Sequence, residues 1–126
     1  METTLIAVPS VMPGGLEAAV GEHFGHCELY TLVEIGDSAV VSVTTRPNVP
    51  HEHGGCMAPV QFLAGNGVKA LIAGGMGMRP LMGFQQMGID VYHGGNATSV
   101  AHAVQAFIAG ELLRFSTDNT CGGGCS

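Results

Sequence analysis

Leu29-Tyr-Thr-Leu-Val-Glu-Ile-Gly-Asp-Ser-Ala-Val-Val-Ser-Val-Thr-Thr45 is the stretch that decides the fold. Residues alternate from Leu29 to Ile35 and again from Ala39 to Thr45, the period-two pattern of strands. Gly36-Asp37-Ser38 between them suits a tight hairpin turn. These two strands are therefore expected to be antiparallel neighbours. Toward the N-terminus, Thr3 to Val8 is a short apolar run closed by Pro9, which reads as a buried strand. The loop joining it to the hairpin is long and contains Met12-Pro-Gly-Gly15 and Gly21-Glu-His-Phe-Gly-His-Cys27. Loops of this length in compact domains tend to carry function.

Toward the C-terminus, His51-Glu-His-Gly-Gly-Cys56 separates the hairpin from a helix-like run over Met57 to Ala64, which Gly65-Asn66-Gly67 stops. Val68 to Ala73 reads as a buried strand. Gly74-Gly-Met-Gly-Met78 then leads into a second helix from Arg79 or Pro80 to Met87, and Ile89 to Tyr92 is a fifth strand. After His93-Gly-Gly-Asn96, Val100, Ala101, Val104, Phe107 and Ile108 recur at helical spacing and predict a third helix ending near Leu113. The order β-β-β-α-β-α-β-α predicts a three-layer α/β domain over residues 1–113, with a five-stranded mixed sheet whose strand 2 is antiparallel. A flexible Cys- and Gly-rich tail is expected over 114–126.

The composition narrows the function. With 126 residues, 46% of them hydrophobic, the chain is long enough for one domain with a substantial core. It contains neither an apolar run long enough to span a membrane nor a leader pattern, so a soluble, cytoplasmic protein is expected. The net charge is −6, and Arg46, Lys69, Arg79 and Arg114 are the basic side chains, too few and too scattered to neutralise a nucleic-acid backbone. No nucleic-acid or membrane partner is expected. Four cysteines in such a chain point to thiol chemistry or metal binding rather than to a disulfide framework.

Topology brings the chemistry together. If the helical crossovers are right-handed and strands one, three, four and five run parallel, every strand-to-helix loop collects at one rim of the sheet. That rim receives His23, His26 and Cys27 from the first loop, His51, His53 and Cys56 from the second, Gly74 to Met78 from the third, and His93 from the fourth. Ligands of open α/β sheets bind there. Cys56 lies close to a helix start, where unpaired N–H groups and the helix dipole favour a thiolate or an anionic ligand. Taken singly, each His or Cys has an ordinary alternative as a loop donor or a buried residue. His102, off the apolar stripe of the third helix, reads as solvated, and Met76 and Met78 as packing residues with some soft-ligand character.

Thiolate with imidazole suits zinc, iron, copper or an iron–sulfur-type cluster, not magnesium or calcium. The chain has no C-x2-C pair for a conventional zinc site, and single ligands on separate Gly-rich loops suit a bulky preassembled group. Helix starts after Gly55 and Gly77, together with Arg79, would offset the charge of an anionic cluster. Gly74-Gly-Met-Gly-Met78 is not a full phosphate-loop pattern and lacks its lysine. A Cys nucleophile with a His base is permitted, but no orienting partner is identifiable. In the tail, Cys121-Gly-Gly-Gly-Cys125 can close on one soft metal ion or on itself as a reversible disulfide.

On Glu22-His-Phe-Gly25 with Leu29-Tyr30 following, Gly74-Gly-Met-Gly77 leading to Arg79, Met87-Gly-Ile-Asp-Val91 and the closing Ala-Gly-Glu-Leu112, the chain resembles the dinitrogenase iron-molybdenum cofactor biosynthesis family. That family includes NifX, NifY and the C-terminal domain of NifB, and the resemblance runs from Leu5 to Leu113. It implies a ribonuclease H-like fold with strand order 3-2-1-4-5. It also implies binding of an iron–sulfur or molybdenum/iron cluster or precursor, or of a molybdenum–copper sulfide cluster as in some relatives. His23 is the residue that maps onto the family's His-Phe-Gly motif; Cys56, Cys121 and Cys125 come from the residues alone.

The expectation is a non-catalytic carrier or scaffold, a monomer or weak homodimer that exchanges its cargo with cluster donor or acceptor proteins. Cys56 and His23 are its main ligands, and Cys27, His26, His51, His53, His93 and Arg79 surround them. A thiol-dependent redox protein using Cys121 and Cys125, and a regulatory interaction module, are the other two classes open to this sequence.

Overall fold

β1 (Thr3–Ser10), β2 (Leu29–Gly36), β3 (Ala39–Pro47), α1 (Ala58–Gly65), β4 (Ala70–Ala73), α2 (Met78–Gln86), β5 (Asp90–His93) and α3 (Val100–Ala109) follow one another in the expected order. They are seen in a computed structural model, which describes residues 3–12, 14–20, 29–47, 58–73, 78–93, 98–112 and 114. The strands form one sheet in the order β3-β2-β1-β4-β5. β2 is antiparallel to both β1 and β3, and β4 is parallel to β1 and β5, so β2 alone runs against the others. This is the α/β architecture and strand order expected from the sequence.

The hairpin turn takes Asp37 (φ 53°) and Ser38 (φ 63°) into the left-handed region, the backbone of a two-residue turn that matches strand twist. The pairing of β2 with β3 shifts register between Glu34 and Ile35, a bulge that leaves Val41 as the extra residue of the edge strand.

Alternation along the strands divides the core into two layers. Ala7, Tyr30, Leu32, Leu71, Ala73 and Val91 face α1 and α2, where they meet Val60, Leu63, Leu81 and Phe84. Ile6, Val8, Val33, Ile35, Ala70 and Ile72 face α3, where they meet Val100, Ala103 and Val104. Both sheet faces are thus covered at the central strands, which explains why β1 and β4 read as continuous apolar runs.

Element ends differ from the sequence expectation where backbone groups are already committed. β1 continues through Pro9 to Ser10, because pairing with β2 extends to Leu29 after the register with β4 has ended at Ala7. β4 starts at Ala70 rather than Val68, whose amide donates to the Leu63 carbonyl at 3.2 Å and closes α1 instead. α3 stops at Ala109, short of Leu113. Gly110, at φ 74°, turns the chain, and its amide donates to the carbonyls of Ala106 and Phe107.

Candidate functional site

One rim of the sheet gathers the strand ends that flank the candidate residues. Ser10, the last residue of β1, pairs with Leu29, the first of β2, and Leu29 pairs in turn with Pro47, the last of β3. Ala73 and His93, the last residues of β4 and β5, are partners. The parallel register Ile6↔Ala70 and Ala7↔Leu71 sets the end of β4 beside the end of β1. From β1 the chain turns toward β2 and from β4 toward β5, in opposite directions from adjacent strands. That is the switch point at which open α/β sheets form a ligand crevice.

Segments 21–28, 48–57, 74–77 and 94–97 lie outside the described residues, but each is bracketed by described residues at this rim or by the start of a helix that follows it. His23, His26 and Cys27 belong to the first of these segments, His51, His53 and Cys56 to the second, and Met76 to the third. Cys121 and Cys125 also lie outside the described residues. Of the described candidates, His93 ends β5 at the rim and is half-buried, and by strand parity with Val91 it belongs to the α1/α2 side. Arg79 is the second residue of α2. His102 is exposed on α3. Among the described residues no group of three or more His, Cys, Asp or Glu could hold a metal ion.

The first loop is fastened to the sheet by buried hydroxyls. Ser10 and Thr31 are both fully buried. Ser10 donates from Oγ to the Val8 carbonyl at 2.7 Å, so the 2.8 Å contact between the two hydroxyls is donated by Thr31. The Thr31 oxygen in turn accepts the Gly15 N–H at 3.1 Å. Every buried donor in this relay is satisfied, and together they fix Gly15 over β2. Gly14 sits beside it at φ 78°, and a methyl group built there would stand 2.7 Å from Leu29 Cδ1 and 2.8 Å from Thr45 Cγ2. Glycine is required at this position both for the backbone and for the close approach.

The same loop caps α3. The amides of Val100 and Ala101 donate to the carbonyls of Ala18 (2.9 Å) and Leu16 (2.8 Å), and the His102 amide donates to Ser99 Oγ at 3.2 Å. Isolated bridges Ser10↔Val20 and Ala19↔Ser99 complete the lacing. The first-turn donors of α3 are therefore committed to the protein, and this helix offers them to no anion. The helix starts left for that role are α1 at Ala58 and α2 at Met78, each with one donor removed by a first-turn proline, Pro59 and Pro80. They lie on the face of the sheet to which His93 belongs.

Val11 and Met12, directly after β1, are 41% and 61% exposed and give the rim an apolar lip. Sequence reading took Met12 only as a loop residue and did not single out Ser10, Thr31 or Ser99. Of these, Ser99 carried a legible signal, as a Ser immediately before an apolar periodic run.

The family model described as dinitrogenase iron-molybdenum cofactor matches residues 5–110. The chain belongs to that family. Its β1-to-α3 body is thus the family's domain. An uncharacterized protein of Methanocaldococcus jannaschii is 33% identical over 95 residues, which cover 74% of this chain and 80% of that protein. Among solved structures, the apo form of the orange protein from Desulfovibrio gigas superposes with a TM-score of 0.76 at 25% identity, covering 98% of this chain and 96% of that one. A NifB-like protein from Thermotoga does so with a TM-score of 0.74 at 26% identity, covering 95% and 99%. Family and neighbours connect the domain with cofactor-related function.

Proposed function

We propose that the protein is a non-catalytic carrier that holds an iron–sulfur or molybdenum-containing sulfide cluster, or its precursor, at the carboxyl rim and exchanges it with donor and acceptor proteins. The observation that carries this is the common rim: Ser10, Leu29, Pro47, Ala73 and His93 lie along one end of the sheet and flank the segments bearing the Cys and His residues. Cys56 is the principal thiolate and His23 the nitrogen ligand. Cys27, His26, His51, His53 and His93 complete or orient them, and Arg79 offsets cluster charge. Cys121 and Cys125 are further candidate metal ligands. Among the described residues no helix is long and apolar enough to cross a membrane, and no described group forms a metal-ion cage. Single ligands delivered by separate loops suit a preassembled, many-valent cargo better than a bare ion.

The test is anaerobic reconstitution with iron and sulfide, with and without molybdate or copper, followed by metal analysis and visible absorption. The native chain is expected to acquire stoichiometric metal and a charge-transfer band, and Cys56→Ser to lose about tenfold or more in affinity. A native chain that takes up no metal under any of these conditions, or a Cys56→Ser variant that binds like the native chain, sinks the carrier assignment in this form.

A further inference from the structure

β3 is an edge strand, and among the described residues it pairs with β2 alone. Its outer side therefore presents unpaired backbone groups. Edge strands are commonly blunted by lysine, proline, an inward-pointing charge or a bulge. β3 carries two such devices, the bulge at Val41 and Pro47 at its end. Between them Ser42-Val-Thr-Thr-Arg46 is regular, uncharged up to Arg46 and rich in β-branched residues. The opposite edge, β5, has four residues and is already bridged at Tyr92 by Arg114.

One hydrogen bond fixes which groups of β3 point outward. The Leu5 carbonyl accepts the Lys69 amide at 2.8 Å, so Leu5 is turned toward the β4 side and away from Glu34, its partner on β2. Backbone groups alternate in direction along a strand. Glu34, Leu32 and Tyr30 are then turned toward β3, where they oppose Ser42, Thr44 and Arg46. Val43 and Thr45 are left with N–H and C=O groups directed outward.

We propose that β3 pairs antiparallel with β3 of a second copy of this chain, with the two-fold axis at Thr44. Val43 and Thr45 then exchange both backbone bonds with Thr45 and Val43 of the second copy, and the two Thr44 side chains meet as a close non-hydrogen-bonded pair. In this register Val41 opposes Pro47, so the bulge and the proline bound the pairing at both ends. Charge selects a second copy as the occupant. Arg46 opposes Ser42 of the second copy, whose neighbour on β2 is Glu34. Within one chain Arg46 stands opposite Tyr30, about 13 Å along β2 from Glu34 and too far for contact. Across the axis the two residues are two strand spacings apart, roughly 10 Å between Cα atoms, on one face with a serine between them. Among the described residues neither side chain has an ion pair within its own chain. Because the paired strands are antiparallel, the carboxyl rims of the two copies point in opposite directions. Each rim stays open, and the pairing does not rest on the carrier reading.

Sedimentation of the full chain tests the pairing. The weight-average mass is expected to rise from one chain toward two between about 10 µM and about 1 mM, the range of a small interface. Thr44→Lys sets like charges face to face at the axis and weakens association about tenfold or more. Arg46→Glu weakens it about tenfold, and adding Glu34→Arg restores it to within about threefold of native. Thr44 and Arg46 are exposed in the single chain, so Thr44→Lys and Arg46→Glu keep the native circular dichroism. Amide exchange at Val43 and Thr45 slows as concentration rises, whereas at Thr44, already bonded to β2, it does not change. A chain that stays monomeric at about 1 mM, a mass that grows beyond two chains, or a dimer indifferent to Thr44→Lys overturns the proposal. A charge swap that restores nothing overturns the register.

Discussion

Gly14→Ala is expected to lower stability by about 2–4 kcal/mol, combining the left-handed backbone cost with overpacking. Gly15→Ala is expected to show the backbone part alone, about 1–2 kcal/mol. Both glycines have positive φ, 78° and 92°, but only at Gly14 does a methyl group meet neighbours, the δ-carbons of buried Leu29 and the γ-carbon of Thr45. Thr45 lies on the edge strand and has room to turn aside; Leu29, 5% exposed, does not. The loss falls on the loop that the Thr31 hydroxyl fastens to the sheet and that caps α3, so the rim should loosen with it. Urea unfolding of the two variants measures the difference. Equal destabilisation at the two positions would mean that the first loop does not pack on β2 and β3 as described.

Phe84→Ala is expected to cost about 3–5 kcal/mol, a large share of the stability of a domain this size. The ring is fully buried in the layer formed by Leu71, Ala73, Leu81, Ile89 and Val91. Its carbonyl accepts the amides of Met87 (3.1 Å) and Ile89 (2.9 Å), so the residue also closes the turn from α2 into β5. Removing the ring leaves a cavity under the helix whose first residues, Met78 and Arg79, start from the carboxyl rim. Met82, 48% exposed on the same helix, is the control, and Met82→Ala is expected to stay within about 0.5 kcal/mol of the native chain. Similar unfolding midpoints for the two variants would show that α2 is not anchored through Phe84.

The fold was legible because its determinants are periodic. Alternation over Leu29 to Thr45 announced the hairpin, and the apolar run from Val68 to Ala73 announced a buried strand, which is found at Ala70–Ala73. What escaped has no period. Val68 reads as strand, yet its amide closes α1. Ser10 and Thr31 read as ordinary strand residues, and only the register Ser10↔Leu29 with Thr31 two residues further on brings their hydroxyls within bonding distance. The carbonyls of Leu16 and Ala18 that cap α3 belong to a two-residue lacing with no sequence signature. The shared rim was legible from the order of strands and helices, because the direction of each strand decides which loops meet. The side-chain geometry of His23 and Cys56 was not, since spacing along a Gly-rich loop constrains reach but not orientation.

The proposed carrier holds its cargo at the carboxyl rim. Amide NMR spectra of the chain, recorded before and after anaerobic loading with iron and sulfide, test it most directly through paramagnetic line broadening. Signals from Ser10, Val11, Ala73, Met78 and His93 are expected to broaden first, while those from Asp37, Ser38, Lys69 and Gly110, toward the other end of the strands, stay sharp. Broadening centred on Asp37, Ser38 and Gly110, with Ser10 and His93 unaffected, would contradict it.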